Sequence, residues 1–286
     1  MKKIVQILVI ATLTACSTEG VKSDAEADAQ TKEDTVQIDT NQLADENIDI
    51  KIDSTSSEKE FPSGLRIVWE QKLGAERLET GDVIKLDYVA RTPDGKIFDS
   101  SRKIGRFIPV RVGWGMLIPG WEMALKELAL GEKAKISIPS ALAYGEKGDG
   151  RRVGPNMDLT VELEVKEKVK PTFDSAGIKV YIVEKFLENE SPRAVKGHEK
   201  MMFDYWSFTE EGKRYDSSYE KGHAFVWHIG DQNLNYGLRT GLMQLKEGES
   251  AYIHVPAEHG FGKKGLPGMV EPNQDLMFIV TVKKVE

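Results

Sequence analysis

The chain carries one long stretch twice. GKIFDSSRK begins at Gly95 and GKRYDSSYE at Gly212, 117 residues later. The same shift carries Tyr88 onto Tyr205, Gly113 onto Gly230, Leu125 onto Leu242 and Gly131-Glu132 onto Gly248-Glu249. It carries Pro139 onto Pro256 and Pro155-Asn156 onto Pro272-Asn273, without a gap from about Tyr88 to Lys166. Upstream the register slips by four, so that GLRIV at Gly64 answers GIKVY at Gly177, 113 residues on. Solenoid repeats have periods of roughly 20–50 residues, so a repeat of this length is a globular unit. The chain therefore folds as two copies of one domain, and its 286 residues suit two domains of about 100–150.

Each copy reads as a sheet with one dry face. Apolar residues alternate in Ile84/Leu86/Tyr88, Ile108/Val110/Val112, Ala134/Ile136/Ile138 and Leu159/Val161/Leu163/Val165. The second copy repeats them as Met201/Phe203/Tyr205, Phe225/Trp227/Ile229, Ala251/Ile253/Val255 and Leu276/Phe278/Val280/Val282. The other face is expected to be wet, as in many antiparallel sheets. One helix interrupts the strands: PGWEMALKELALGE has Pro119 near its first position and Gly131 as its stop. Trp121, Leu125 and Leu128 share one face of it, and Leu238, Leu242 and Leu245 repeat that face. The expected fold is α+β: two tandem units, each a curved antiparallel sheet wrapped over one short α-helix.

The residues ahead of the copies have another character. MKK is followed by the apolar run IVQILVIATL, too short to span a bilayer but suited to a signal peptide. LTAC then resembles the bacterial lipobox, which implies cleavage after residue 15 and a lipid on Cys16, the single cysteine of the chain. Ser17 in the next position favours the outer membrane over retention at the inner one. Residues 17–60 hold 13 acids against 4 lysines and no aromatic residue. Such a segment cannot bury enough apolar surface to offset ordering and reads as a solvated tether reaching roughly 35–40 Å. The expected division is a signal peptide at 1–15, a lipidated acidic tether at 16–60, a first domain at 61–170 and a second at 171–286.

Charge narrows the function. The net charge is −7, and the acidic tether accounts for it, leaving the two folded units neutral overall. A nucleic-acid groove needs a basic face, so no nucleic-acid partner is expected. All five histidines lie in the second copy, but parity puts His223 and His228 on opposite sides of a strand and sends His228 and His254 to the wet face. No metal site and no cofactor is expected.

The motifs Y-(x9)-FDSS, G-(x3)-LIPGWEMAL, GEKAKISIP, AYG and GPNMDLTVELEV resemble an FKBP-type peptidyl-prolyl isomerase over about 105 residues in each copy. The resemblance implies a catalytic cup in the first unit. Trp121 would be its floor, and Tyr88, Phe98, Ile108, Leu117, Ile118, Val153 and Val161 its walls. Tyr144 would offer a hydroxyl, Asp99 a rim carboxylate and Ile118 its backbone N–H. Ile108 and Val161 stand where the family usually has phenylalanine, and Ile104 where a basic residue is common. Asp149, Arg151 and Arg152 occupy an overhanging loop whose tip is often apolar. In the second unit Tyr205, Tyr215, Asp216, Phe225, Val270 and Phe278 remain, with Leu234 in the wall. Leu238 replaces the floor tryptophan, Phe261 the hydroxyl-bearing tyrosine, and Asn235 brings an amide to a place expected to be dry. The implied partners are unfolded or proline-containing polypeptides and macrolide inhibitors, with a membrane reached through the Cys16 lipid alone. The expected function is prolyl isomerisation on extracytoplasmic proteins, with a weak or inactive peptide-binding second copy. The competing expectation is a non-catalytic peptide-binding adaptor or chaperone lipoprotein.

Overall fold

A computed structural model describes residues 57–104, 108–185 and 199–286. Cys16, the signal-like run and most of the acidic segment lie outside the described residues.

The first unit contains β1 (Glu58–Glu60), β2 (Arg66–Gln71), β3 (Val83–Arg91), β4 (Ile97–Ser100), α1 (Ser101–Ile104), β5 (Ile108–Arg111), α2 (Pro119–Leu125), β6 (Lys133–Ile138) and β7 (Leu159–Val169). The second contains β8 (Phe173–Ser175), β9 (Ile178–Lys185), β10 (Lys200–Thr209), β11 (Arg214–Ser217), α3 (Ser218–Lys221), β12 (Phe225–His228), α4 (Tyr236–Leu242), β13 (Glu249–Val255) and β14 (Leu276–Val285). Every pairing is antiparallel. The sheet orders β1-β2-β6-β7-β3-β4 and β8-β9-β13-β14-β10-β11 are the same, with β5 and β12 pairing β3 and β10.

The repeat survives at the level of single pairs. Tyr88 faces Leu163 as Tyr205 faces Val280, and a bulge after Lys85 recurs after Met202. Ile67 pairs with Ile136 as Val180 pairs with Ile253, so the slip from 113 to 117 places the four extra residues of the second unit between β9 and β10. Gly-Glu recurs because the carboxylate folds back on the turn: Glu132 accepts the Ala129 N–H, and Glu249 accepts the Lys246 N–H. Asn156 and Asn273 recur because the backbone there is left-handed, at φ 55° and 59°, and asparagine tolerates that region better than most side chains.

Two expectations change. The acidic tether was read to residue 60, yet Glu58–Glu60 pair with Arg66–Val68 as an edge strand, since backbone pairing asks nothing of exposed side chains. The helix was read on to Gly131, yet α2 stops at Leu125. Leu128 and Ala129 turn away to meet Leu78 and Arg77 (the Leu128 carbonyl accepts the Leu78 N–H at 3.0 Å), and that tertiary pairing ends the helix. Trp121, Leu125 and Leu128 are all buried as the helical spacing required. Both helices lie hard on their sheets. A Cβ on Gly120 would stand 2.3 Å from Ile138, and one on Gly237 2.2 Å from Val255.

Part of the outer face of the second sheet is covered rather than wet. Val83, Trp114, Met116 and Val169 of the first unit pack with Tyr181, Val183, Phe208, Tyr252 and Met277 of the second in one buried cluster. Tyr252 donates to the Pro109 carbonyl at 2.9 Å. Arg111, 5% exposed, lies 4.0 Å over the Trp114 ring, and burial lowers its pKa to about 10. His254, assigned to the wet face by parity, lies against the edge of Trp114 and bonds Asp275 at 3.0 Å. The parity was right; the face is covered by the other unit.

Candidate active site

The repeated Asp-Ser-Ser explains itself in the first unit. β4 delivers Asp99 beneath the rim, where its carboxylate accepts the Tyr88 hydroxyl at 2.9 Å and the Ser100 N–H at 3.1 Å. Ser101 plugs the neighbouring strand, accepting the Tyr88 N–H at 3.0 Å and donating to Asp87. The second unit copies this with Tyr205, Asp216, Ser218 and Asp204. The motif is thus a device that fixes one tyrosine by its backbone and its hydroxyl together.

That tyrosine meets the floor. The Tyr88 and Trp121 rings stand edge to face, 5.1 Å apart at 84°. Such pairs contribute about 0.5–1.5 kcal/mol beyond area burial. Tyr88, Phe98, Ile108, Leu117, Ile118, Trp121, Val153 and Val161 belong to one buried cluster, with Tyr144 half-buried against it. Asp99 joins them through its bond to Tyr88.

Glu122 holds the segment before α2, its carboxylate accepting the Gly113 N–H at 2.8 Å and the Leu117 N–H at 3.3 Å. This fixes Ile118, whose carbonyl starts the helix while its N–H donates to no group among the described residues. The Tyr144 hydroxyl likewise has no partner among them, and burial with Asp149 and Asp99 nearby pushes its pKa up to about 12. Burial and Asp99 push Tyr88 up as well. Both phenols therefore remain donors at neutral pH.

Across the rim, Arg152 reaches from the overhanging loop. Its guanidinium donates to the Phe98 carbonyl at 2.8 Å and lies 3.6 Å from Asp99. The sequence puts Arg152 in the overhanging loop but does not reveal this contact. The signal available was Ile104, an apolar residue where a basic one is common.

The second cup is an open cavity. A cavity of about 400 Å³ is lined by Tyr205, Tyr215, Asp216, Phe225, Leu234, Asn235, Leu238, Phe261 and Phe278, all expected, and also by Phe203, Ser207, Lys221, Asn233, Leu266 and Met269. Val270, expected in its wall, packs into the core instead. Tyr205 and Phe225 lie 6.2 Å apart at 82°, and Tyr215 and Phe278 6.4 Å apart at 81°. Lys221, the counterpart of Ile104, donates to Asp216 at 2.8 Å and to the Tyr205 hydroxyl at 2.9 Å. Burial pushes Asp216 up, but Lys221, Tyr205 and the Ser217 N–H outweigh it and hold the carboxyl below its usual range. Asn235 does not put an idle amide in a dry place. Its side-chain oxygen caps α4, accepting the Leu238 N–H at 2.8 Å, where Ile118 offers α2 no side-chain cap.

A family model described as FKBP-type peptidyl-prolyl cis-trans isomerase matches residues 74–166 and again 191–283. The chain belongs to that family. Among FKBP-type relatives, the peptidyl-prolyl cis-trans isomerase FKBP9 of Mus musculus is 32% identical over 194 residues, 67% of this chain and 33% of the mouse protein. The chain thus spans about a third of the length of such relatives. FK506-binding protein 2 of Yarrowia lipolytica is 37% identical over 90 residues, 32% of this chain and 62% of that protein. Among solved structures, FkpA from Escherichia coli is 27% identical with a TM-score of 0.36, covering 41% of this chain and 51% of that one.

Proposed function

We propose that the first unit is a prolyl isomerase acting on unfolded, proline-containing polypeptides outside the cytoplasm. A planar imide is held by resonance behind a barrier of about 18–20 kcal/mol, and no covalent chemistry is needed to cross it. A site must favour the twisted imide, which has lost resonance and polarity, and each ~1.4 kcal/mol of that preference is tenfold in rate. The observation that carries the reading is a buried Tyr88–Trp121 pair in the same cluster as two donors, the Ile118 N–H and the Tyr144 hydroxyl, that no described group uses. In this reading they hold carbonyls beside a proline seated on the indole. Macrolides of the kind named in FK506-binding relatives are expected to bind this cup weakly, since Ile108 and Val161 leave two walls thin.

The second unit is a peptide-binding copy with turnover about a hundredfold lower or less. Leu238 gives no flat floor, and a cup of about 400 Å³ open to water solvates the planar imide. We further propose that a lipid on Cys16 holds the protein at a bacterial outer membrane, with the acidic segment as tether. The motif LTAC and the composition of residues 17–60 support this.

The test is a proline-isomerisation assay on the full chain, since the buried cluster between the units makes the intact chain the proper object. Wild-type catalysis that falls to the background rate in the double variant Trp121→Leu, Tyr144→Phe places turnover in the first cup. Undiminished catalysis places it in the second, and none in the wild type favours the adaptor reading.

A further inference from the structure

Residues 149–153 and 266–270 are the same loop under the 117-residue shift, yet one reads DGRRV and the other LPGMV. In the first unit a single carboxylate oxygen of Asp149 accepts the N–H groups of Arg151, Arg152 and Val153 at 2.8, 2.7 and 2.8 Å. Asp149 in turn donates its own N–H to the Val153 carbonyl at 3.0 Å. These bonds close the tip into a tight ring that presents Arg152 from a fixed base. The guanidinium crosses to the opposite rim and bonds the Phe98 carbonyl through one nitrogen. Its nearest charge, Asp99, is only 4% exposed and already holds the Tyr88 hydroxyl and the Ser100 N–H. The arginine side chain is 44% exposed, so further donors of its fork stay open to solvent beside the Phe98 carbonyl.

Among the described residues, the second unit's loop has no such cation at that place. Met269 occupies the position of Arg152 at 48% exposure, and Leu266 that of Asp149. Its basic residue, Lys221, comes from α3 on the other side and is engaged with Asp216 and the Tyr205 hydroxyl. At this one loop position, then, the first unit carries a guanidinium and the second a thioether over the same frame.

Resting on the isomerase reading of the first unit, we propose that Arg152 is a specificity-determining residue. It receives the carboxylate of an acidic side chain flanking the substrate proline and steers the first cup toward acidic sequences. The contact is partly solvated, so a preference of about three- to fivefold at low salt is the scale to expect, shrinking as salt screens it. Planar guanidinium recognises carboxylate by two parallel donors, which a lysine cannot reproduce.

The experiment uses the full chain and otherwise identical peptides with Glu, Gln or Lys placed in turn on either side of the proline. Gln has the shape of Glu without its charge, so the Glu-to-Gln ratio of kcat/KM isolates the charge. On one side of the proline, wild type should favour Glu over Gln about three- to fivefold and disfavour Lys. In Arg152→Met, which installs the second unit's own residue, the ratio should fall to about one, and Arg152→Lys should retain part of it. A Glu-to-Gln ratio near one in wild type, or one unchanged in Arg152→Met, overturns the proposal while leaving the isomerase reading intact. If no peptide is turned over, the isomerase reading fails. Titration of the same peptides followed by chemical shifts at the Arg152 loop then decides the rim by its Glu-to-Gln affinity ratio.

Discussion

The Tyr252 hydroxyl of the second unit donates to the Pro109 carbonyl of the first at 2.9 Å, inside a buried apolar cluster. Pro109 follows Ile108, a wall of the proposed first cup, so the second unit braces the strand that carries it. Removing the hydroxyl leaves a buried carbonyl unpaired, at about 1–3 kcal/mol. Tyr252→Phe should lower the urea midpoint of the full chain accordingly and move the chemical shifts of Ile108. An unchanged midpoint would show that the bond contributes nothing net.

His254, beside it, ties stability to pH. Burial first, then Arg111, lower its pKa below 6.5, against the pull of Asp275. The folded protein thus keeps it neutral where the unfolded chain takes a proton. The unfolded state binds more protons as pH falls below about 6.5, so this contribution is constant above that value and is lost below it until the folded pKa is reached. His254→Gln should flatten the stability profile between about pH 7 and 5 in chemical unfolding. An unaltered profile would assign the slope to carboxylates instead.

The floor tryptophan should matter more to rate than to fold. Trp121→Leu copies the second unit's Leu238 and should reduce kcat/KM on an X-Pro peptide tenfold or more with the circular dichroism spectrum kept. It should also lower stability by about 2–4 kcal/mol for the lost volume. Tyr144→Phe should cost less in rate and little in stability. Full turnover with leucine at the floor would remove the reason for calling the second cup weak.

Asn235 should show its role as a cap. Asn235→Ala is expected to destabilise the chain by about 1 kcal/mol, and Asn235→Asp to retain most of that stability, both read by thermal unfolding. Loss of peptide binding without loss of stability would instead mean that the amide serves the ligand.

Metabolic labelling with a palmitate analogue should mark wild type and not Cys16→Ser. Label kept by the variant would remove the lipid anchor.

The repeat, its 117-residue register and its four-residue slip were legible in the sequence, because strand pairing keeps period and spacing wherever the same sheet is built twice. The inward positions of those strands and the buried face of the helix were legible too, because period-2 and helical spacing report which side of an element is apolar. Tertiary structure alone decided what covered the second sheet. Parity tells which face a side chain takes, and only the docking of Trp114 and Met116 on Tyr252 and Met277 makes the outer face dry. It also decided where α2 stops, because the pairing of Leu128 with Leu78 comes from 50 residues upstream, and no local propensity carries that information. The reach of Arg152 to Phe98 was hidden for the same reason: the two stand 54 residues apart in the chain and meet only when the loop folds over the cup.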